Sequence, residues 1–190
     1  MSDPLDLDSR EGWPAELLFL LRQHPRDGWS GRPDLGMTAR FWLDRHGAFR
    51  QLGKALQDDT DAFRQGKTAP EDFQARFPPR LQVFLGELNG HHQVEDHHYF
   101  PLFRRAEPRL LPGFEVLDRD HQTLHAGLVA TAEAANALLQ ALARDPTAAQ
   151  GPADSYAEIS ATLLRRMLRH LDDEEDLVIP LMLERGEAGL

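Results

Sequence analysis

Apolar residues recur at three- and four-residue intervals over most of this chain and fall into four long runs. The first extends from about Thr38 to Gln65, with Thr38 as N-cap and Phe41, Trp42, Phe49, Leu52, Leu56 and Phe63 on one side. The second is predicted from Pro79 to about Ala106, with Leu81, Phe84, Leu85, Leu88, Glu95 and Leu102 at helical spacing. A short helical piece over Glu71 to Arg76 precedes it, ended by Pro78 and Pro79. The third run, from about Pro112 to Ala143, is alanine-rich and favours helix. The fourth starts near Pro152 and ends about Glu184, just before Gly186. No stretch alternates apolar and polar residues with a period of two, so no strand is predicted. Long helices joined by short connections predict an all-α fold, an antiparallel up-down-up-down four-helix bundle over residues 38–190.

Residues 1–37 read differently. Pro4, Pro14, Pro25 and Pro33, with Gly12, Gly28, Gly31 and Gly36, punctuate them. Only Pro14 to His24 has a helical pattern, and a loop from Pro25 to Gly36 follows. This segment is expected to form a non-regular N-terminal arm that packs on the bundle.

Composition narrows the chemistry. The 190 residues include 31 acidic and 21 basic side chains, a formal charge of −10 that repels phosphate backbones and anionic lipid. Nucleic acid and membrane are therefore not expected partners. The absence of cysteine removes thiolate zinc sites, iron–sulfur clusters and cysteine nucleophiles, so any metal must be held by nitrogen and oxygen. The longest apolar run, Leu17 to Leu21, is too short for a transmembrane helix and lacks the basic lead of a secretory signal. The expectation is a soluble, cytoplasmic protein. No glycine-rich phosphate loop and no Gly-x-Ser-x-Gly turn points to transferase or hydrolase chemistry.

The nine histidines cluster, and part of the chain repeats itself. His91-x3-Glu95-x5-Pro101-Leu102 on the second helix is matched by His170-x3-Glu174-x5-Pro180-Leu181 on the fourth. His46 precedes His91 by the same 45 residues that separate His125 from His170. This register implies two related helical hairpins about a pseudo-twofold axis. Side chains four apart on a helix are about 6 Å apart on one face and can hold one ion or one bridged pair. His91 with Glu95, His121 with His125, and His170 with Glu174 are such pairs, and His46 makes the seventh group. Glu95 continues a core stripe, where an uncompensated carboxylate costs several kcal/mol. Five imidazoles and two carboxylates suit two ions bridged by the glutamates, and the ligand types favour iron, manganese or zinc over calcium or magnesium. In the first hairpin Trp42 takes the place of His121, so one ion is expected to have three histidines and the other two, with an open position beside Trp42. His92 paired with Asp96 is the alternative to His91. Asp118 and Asp120 are candidates for orienting a ligand histidine through its second nitrogen, and Glu175 is a second inward candidate on the last helix.

His46, His91-x3-Glu95, Asp120-His121-x3-His125 and His170-x3-Glu174, with Phe100-Pro101, resemble the hemerythrin family and specifically its bacterial hemerythrin-like (HHE cation-binding) branch. The resemblance covers residues from about 38 to 185. It implies a four-helix bundle holding two iron ions in a non-haem, oxo- or hydroxo-bridged di-iron centre. Binding of O₂ or a related gaseous or peroxide ligand follows from it, in oxygen binding, sensing or oxidative and nitrosative protection. Oxygen-carrying members place an aspartate five residues after the last histidine, whereas here Glu174 stands at four, as in the hemerythrin-like branch. The alternatives are a peroxide- or nitric-oxide-consuming di-iron enzyme and a metal-binding regulatory module. In the last of these the arm, with Trp13 and Trp29, would contact a protein partner or a second copy.

Overall fold

Helix dominates this chain because its apolar stripes keep the 3.6-residue period through long segments, and the ends of those segments carry helix-stopping signals. The computed structural model describes residues 4–145 and 148–186; the first three residues of the predicted arm and the last four of the predicted bundle lie outside them. Among the described residues all regular structure is helical. The α-helices are α1 (Phe19–Gln23), α2 (Met37–Arg64), α3 (Pro70–Val94), α4 (Phe100–Ala106), α5 (Leu111–Arg144) and α6 (Gln150–Arg185). A π-helical turn, Glu95–Tyr99, separates α3 from α4. 3-10 turns occur at Arg26–Gly31 and Pro108–Leu110. The fold is an all-α helical bundle.

The ends of α2 and α6 show why the chain turns where it does. Gly66 adopts φ +68°, Lys67 N–H donates to Ala62 O at 2.9 Å and Gly66 N–H to Phe63 O at 2.9 Å. This left-handed glycine cap satisfies the last carbonyls of α2. Gly186, at φ +66°, closes α6 in a similar way through Met182 O.

Two of the prolines behave differently from the prediction. Pro78 and Pro79 lie inside α3, so the expected Glu71–Arg76 piece and the helix expected from Pro79 are one element. An interior proline costs about 3 kcal/mol. That cost is offset by the buried stripe crossing it, Phe73, Phe77, Leu81, Phe84 and Leu88, each apolar side chain contributing about 1.5–3 kcal/mol. Pro180 likewise stands within α6, among buried Val178, Ile179 and Leu181. Pro101, by contrast, occupies the first turn of α4, where a missing N–H is harmless.

The chain forms two compact units. One comprises residues 48–91 and 123–167, parts of α2, α3, α5 and α6. Its interior holds an aromatic series in which Phe73 stacks on Phe63 and on Phe77, both at 4.5 Å, and Phe77 meets Tyr156 edge-on at 5.0 Å. Helices approach closely at Gly53, where a Cβ would fall 2.6 Å from Leu164 Cδ2.

The other unit comprises residues up to 47, 92–122 and 168 onward. Its core joins Trp13, Leu17, Leu20 and Trp29 of the arm to Phe100, Phe103, Phe114, Leu117 and Leu177. The arm is therefore part of this unit's interior, and Trp13 and Trp29 are core residues, 7% and 5% exposed. The helix expected over Pro14 to His24 shrinks to α1, and the predicted loop contains the first 3-10 turn. Among the described helices only the stretch containing α5 has the length and apolar composition needed to cross a bilayer. In this unit α5 is a core helix, with Phe114, Leu117 and His121 buried.

Candidate metal centre

The π-helical turn is the local feature on which the site is built. Along α3 the buried positions step by three and four through Phe84 and Leu88 to His92 and Glu95. After Glu95 the backbone widens into the π turn, which ends at Tyr99. Such single turns change the phase of a helix and concentrate at functional sites. His92 and Glu95 continue the buried stripe of α3 to the start of this turn, and Asp96, the next residue, reaches His121.

Three histidines converge in the second of the two units. His92, His121 and His170 are all buried and offer donor nitrogens within 4.8 Å of one another. The rings of His92 and His121 stack at 4.2 Å, and the Nε2 atoms of His121 and His170 are 3.0 Å apart. Beside them, His46, Glu95 and Glu174 bring donor atoms within 4.8 Å, and His91 stands one helical turn before Glu95 on the same helix. The carboxylates adjoin both sets. Glu174 Oε2 lies 3.2 Å from His170 Nε2 and 3.9 Å from His46 Nε2, and Glu95 Oε2 is 3.6 Å from His121 Nε2.

Three of these imidazoles are oriented from behind. His121 Nδ1 donates to Asp96 Oδ1 at 2.6 Å, His46 Nδ1 to Glu175 Oε1 at 3.0 Å, and His170 Nδ1 to Asp120 Oδ2 at 3.4 Å. A carboxylate can only accept, so each Nδ1 carries a proton and each Nε2 is left turned inward, as the atom available to a metal. This is how metal-bound histidines are commonly fixed. For His121 and His170 it brings two Nε2 atoms to 3.0 Å, a spacing satisfied by a proton carried on His170 or by a bound cation.

The electrostatics agree. Burial pushes Glu95 well above the usual carboxyl range, and the nearby charge of Glu174 adds to it. Burial alone would lower His170, but its bonds to Asp120 and Glu174 outweigh that and push it up to about 9. His121 is lowered, by burial first and despite Asp96, with His170 adding to the fall. Asp120 is held low by His170 and Arg10 against the opposing effect of its burial. Two buried carboxyls and several inward imidazole nitrogens in so small a volume fit divalent transition metal ions, whereas calcium and magnesium prefer oxygen shells.

Of the seven residues predicted to bind metal, the structure brings His46, Glu95, His121, His170 and Glu174 together, with His91 on the helix that carries Glu95. His125 is placed elsewhere. It is exposed, bonds Asn89 Oδ1 at 3.1 Å through Nδ1 and lines a groove of about 490 Å³ with Leu81, Leu85 and Leu128. The buried stripe of α5 passes through His121, Leu124 and Leu128, so position 125 falls to its edge. His92, a buried residue with a donor nitrogen within 4.8 Å of those of His121 and His170, stands in that cluster instead. Its signal was in the sequence: it follows Leu88 by four and precedes Glu95 by three.

Other candidates sort by contact. Asp120 orients His170, whereas Asp118 pairs with Arg104. Glu175 turns inward to His46. The two remaining histidines of this segment, His97 and His98, are exposed. Trp42 donates its indole N–H to Glu174 Oε1 at 2.7 Å and packs edge-on against Tyr99 at 5.0 Å.

A family model described as the hemerythrin HHE cation binding domain matches residues 37–182. No curated protein and no solved structure gives a match.

Proposed function

The chain belongs to the hemerythrin HHE cation-binding domain family, and on that premise we propose that its metal centre holds two iron ions and binds O₂ or a related small oxidant. The role inferred is sensing, or protection against oxidative or nitrosative stress. The observation that carries the reading is Glu174, whose Oε2 lies between His170 Nε2 at 3.2 Å and His46 Nε2 at 3.9 Å. A carboxylate so placed suits two adjoining ions better than one. His92, His121 and His170 would hold the first, His46 and His91 the second, with Glu95 and Glu174 shared. An iron pair, when bound, supplies electrons to a small oxidant.

The protein's own part is to hold and shield. Asp96, Asp120 and Glu175 keep three Nε2 atoms directed inward. Trp42, with Tyr99 and Phe103 at ring distances of 5.0 and 5.7 Å, forms an apolar wall near His46 that limits water. The set with two histidines is the one with fewer protein ligands, and a small exogenous ligand is assigned there.

The test is the visible spectrum of protein loaded anaerobically with Fe(II), taken before O₂, after O₂ and after its removal, alongside the iron-to-protein ratio. Two equivalents of iron and a charge-transfer band that fades on deoxygenation support O₂ binding. A persistent oxidised spectrum supports the alternative, a peroxide- or nitric-oxide-consuming enzyme, and directs the next assay to turnover. A chain that takes up no iron overturns the proposal.

A further inference from the structure

The arm outside the matched residues carries a short sequence twice, Arg10-Glu11-Gly12-Trp13 and Arg26-Asp27-Gly28-Trp29. Both copies do the same thing in the structure. Each arginine lies over the ring of its own tryptophan, at 4.9 Å for Arg10 and 5.2 Å for Arg26. Each guanidinium then spans two carboxylates. Arg10 donates from Nη2 to Asp120 Oδ2 at 2.6 Å and from Nε to Asp173 Oδ2 at 2.8 Å. Arg26 donates from Nη1 to Glu175 Oε2 at 2.9 Å and from Nε to Asp176 Oδ1 at 2.6 Å.

In each pair, one carboxylate also accepts from a histidine of the metal centre. Asp120 accepts from His170, and Glu175 accepts from His46. The chains Arg10–Asp120–His170 and Arg26–Glu175–His46 therefore end in different donor sets. We infer that the arm is a working part of the metal centre, its two arginine clamps each setting the position of one histidine, Arg10 for the three-histidine set and Arg26 for the His46 set. The inference rests on the metal-centre reading above.

The physical argument concerns what a carboxylate needs in order to orient a ligand. A free carboxylate rotates, and its charge draws on the imidazole proton. A guanidinium on its far side fixes the rotamer and balances the charge, so the imidazole is held without being over-polarised. The stacked tryptophan restricts the guanidinium in turn. Arginines that served only to attach the arm could have used any surface acid. These two reach the acids directly behind His170 and His46.

Full-length protein, stripped of metal, is titrated with Co(II) against a competing chelator, and the d–d absorption of each equivalent is followed. Arg26→Gln and Arg10→Gln are compared with Arg26→Lys, Arg10→Lys, His46→Ala and His170→Ala. Each glutamine variant is expected to weaken one Co(II) equivalent by about 10–100-fold, the range for loss of an outer-shell partner. Arg26→Gln should weaken the step that His46→Ala abolishes, and Arg10→Gln the step that His170→Ala abolishes. Lysine should restore part of each loss. Melting of the metal-free variants separates this from plain destabilisation. Should Arg10→Gln fail to fold, Arg26→Gln decides, its side chain being the more exposed of the two. Variants that melt earlier yet bind both equivalents as wild type does, or that lose both equally, overturn the arm's role alone. A wild type that binds no Co(II) overturns the metal-centre reading and this inference together.

Discussion

The indole N–H of Trp42 donates to Oε1 of Glu174 at 2.7 Å, while Oε2 of the same carboxylate faces His170 and His46. Position 42 corresponds in the internal repeat to His121, which in turn lies 3.6 Å from Glu95 Oε2. The two contacts follow the register of the repeat, with an indole donor standing where the other copy has an imidazole. Removing that donor by Trp42→Phe is expected to destabilise the metal-free protein by about 1–3 kcal/mol, the range for leaving a buried acceptor unsatisfied. Urea unfolding measures this, and metal-bound spectra should shift because Glu174 is no longer held at Oε1. An unchanged midpoint and spectrum would show the contact to be idle.

His92 and His125 compete for the role of third imidazole, and metal analysis separates them. His92→Ala should cost one equivalent of bound metal or weaken it by at least about tenfold. His125→Ala should leave both equivalents in place, since that side chain bonds Asn89 on an exposed face. The reverse pattern would restore the sequence-based expectation.

Glu95 is costly to the empty protein and useful to the loaded one. Folding raises its pKa through burial and the charge of Glu174. The folded state therefore binds this proton more tightly than the unfolded chain, and stability falls as pH rises above the ordinary carboxyl value of 4.5. Glu95→Gln removes that slope. Metal-free Glu95→Gln should be more stable than wild type at pH 7, by up to about 3 kcal/mol, since each tenfold change in proton affinity is worth about 1.4 kcal/mol. It should also lose metal. Chelation followed by urea unfolding, with metal analysis beside it, checks both, and a less stable variant would contradict the argument.

Glu107 behaves oppositely. Arg109 and Arg185 hold it down to about 2 from an ordinary 4.5, against the effect of burial. A lowered pKa in the folded state stabilises fully above the unfolded value and is lost as pH falls through the folded one. The stability gap between wild type and Glu107→Gln should thus be constant at neutral pH and close between about pH 4.5 and pH 2. Unfolding curves at several acid pH values test it; a pH-independent gap would assign the effect to shape.

Much of this molecule is written in local pattern. The 3.6-residue stripes gave four long helices to within about two residues at most ends, because burying one face of a helix is a local, periodic requirement. The repeat of histidines and glutamates pointed to the family and marked His46, Glu95, His121, His170 and Glu174, which the structure brings close together, because residues one turn apart share a face. Residue chemistry also excluded thiolate sites outright, since there is no cysteine. Tertiary structure decided the rest. Continuation of α3 through Pro78 and Pro79 depends on what Phe73 and Phe77 bury against, which no local rule supplies. The burial of His92 and the exposure of His125 follow from which residues of α3 and α5 face the interior, a difference of one residue that the histidine spacing alone does not resolve. The arm's arginines reach carboxylates 110 and 149 residues away along the chain. Such pairings have no local signature, because a guanidinium finds its carboxylate only after the core has brought the two together.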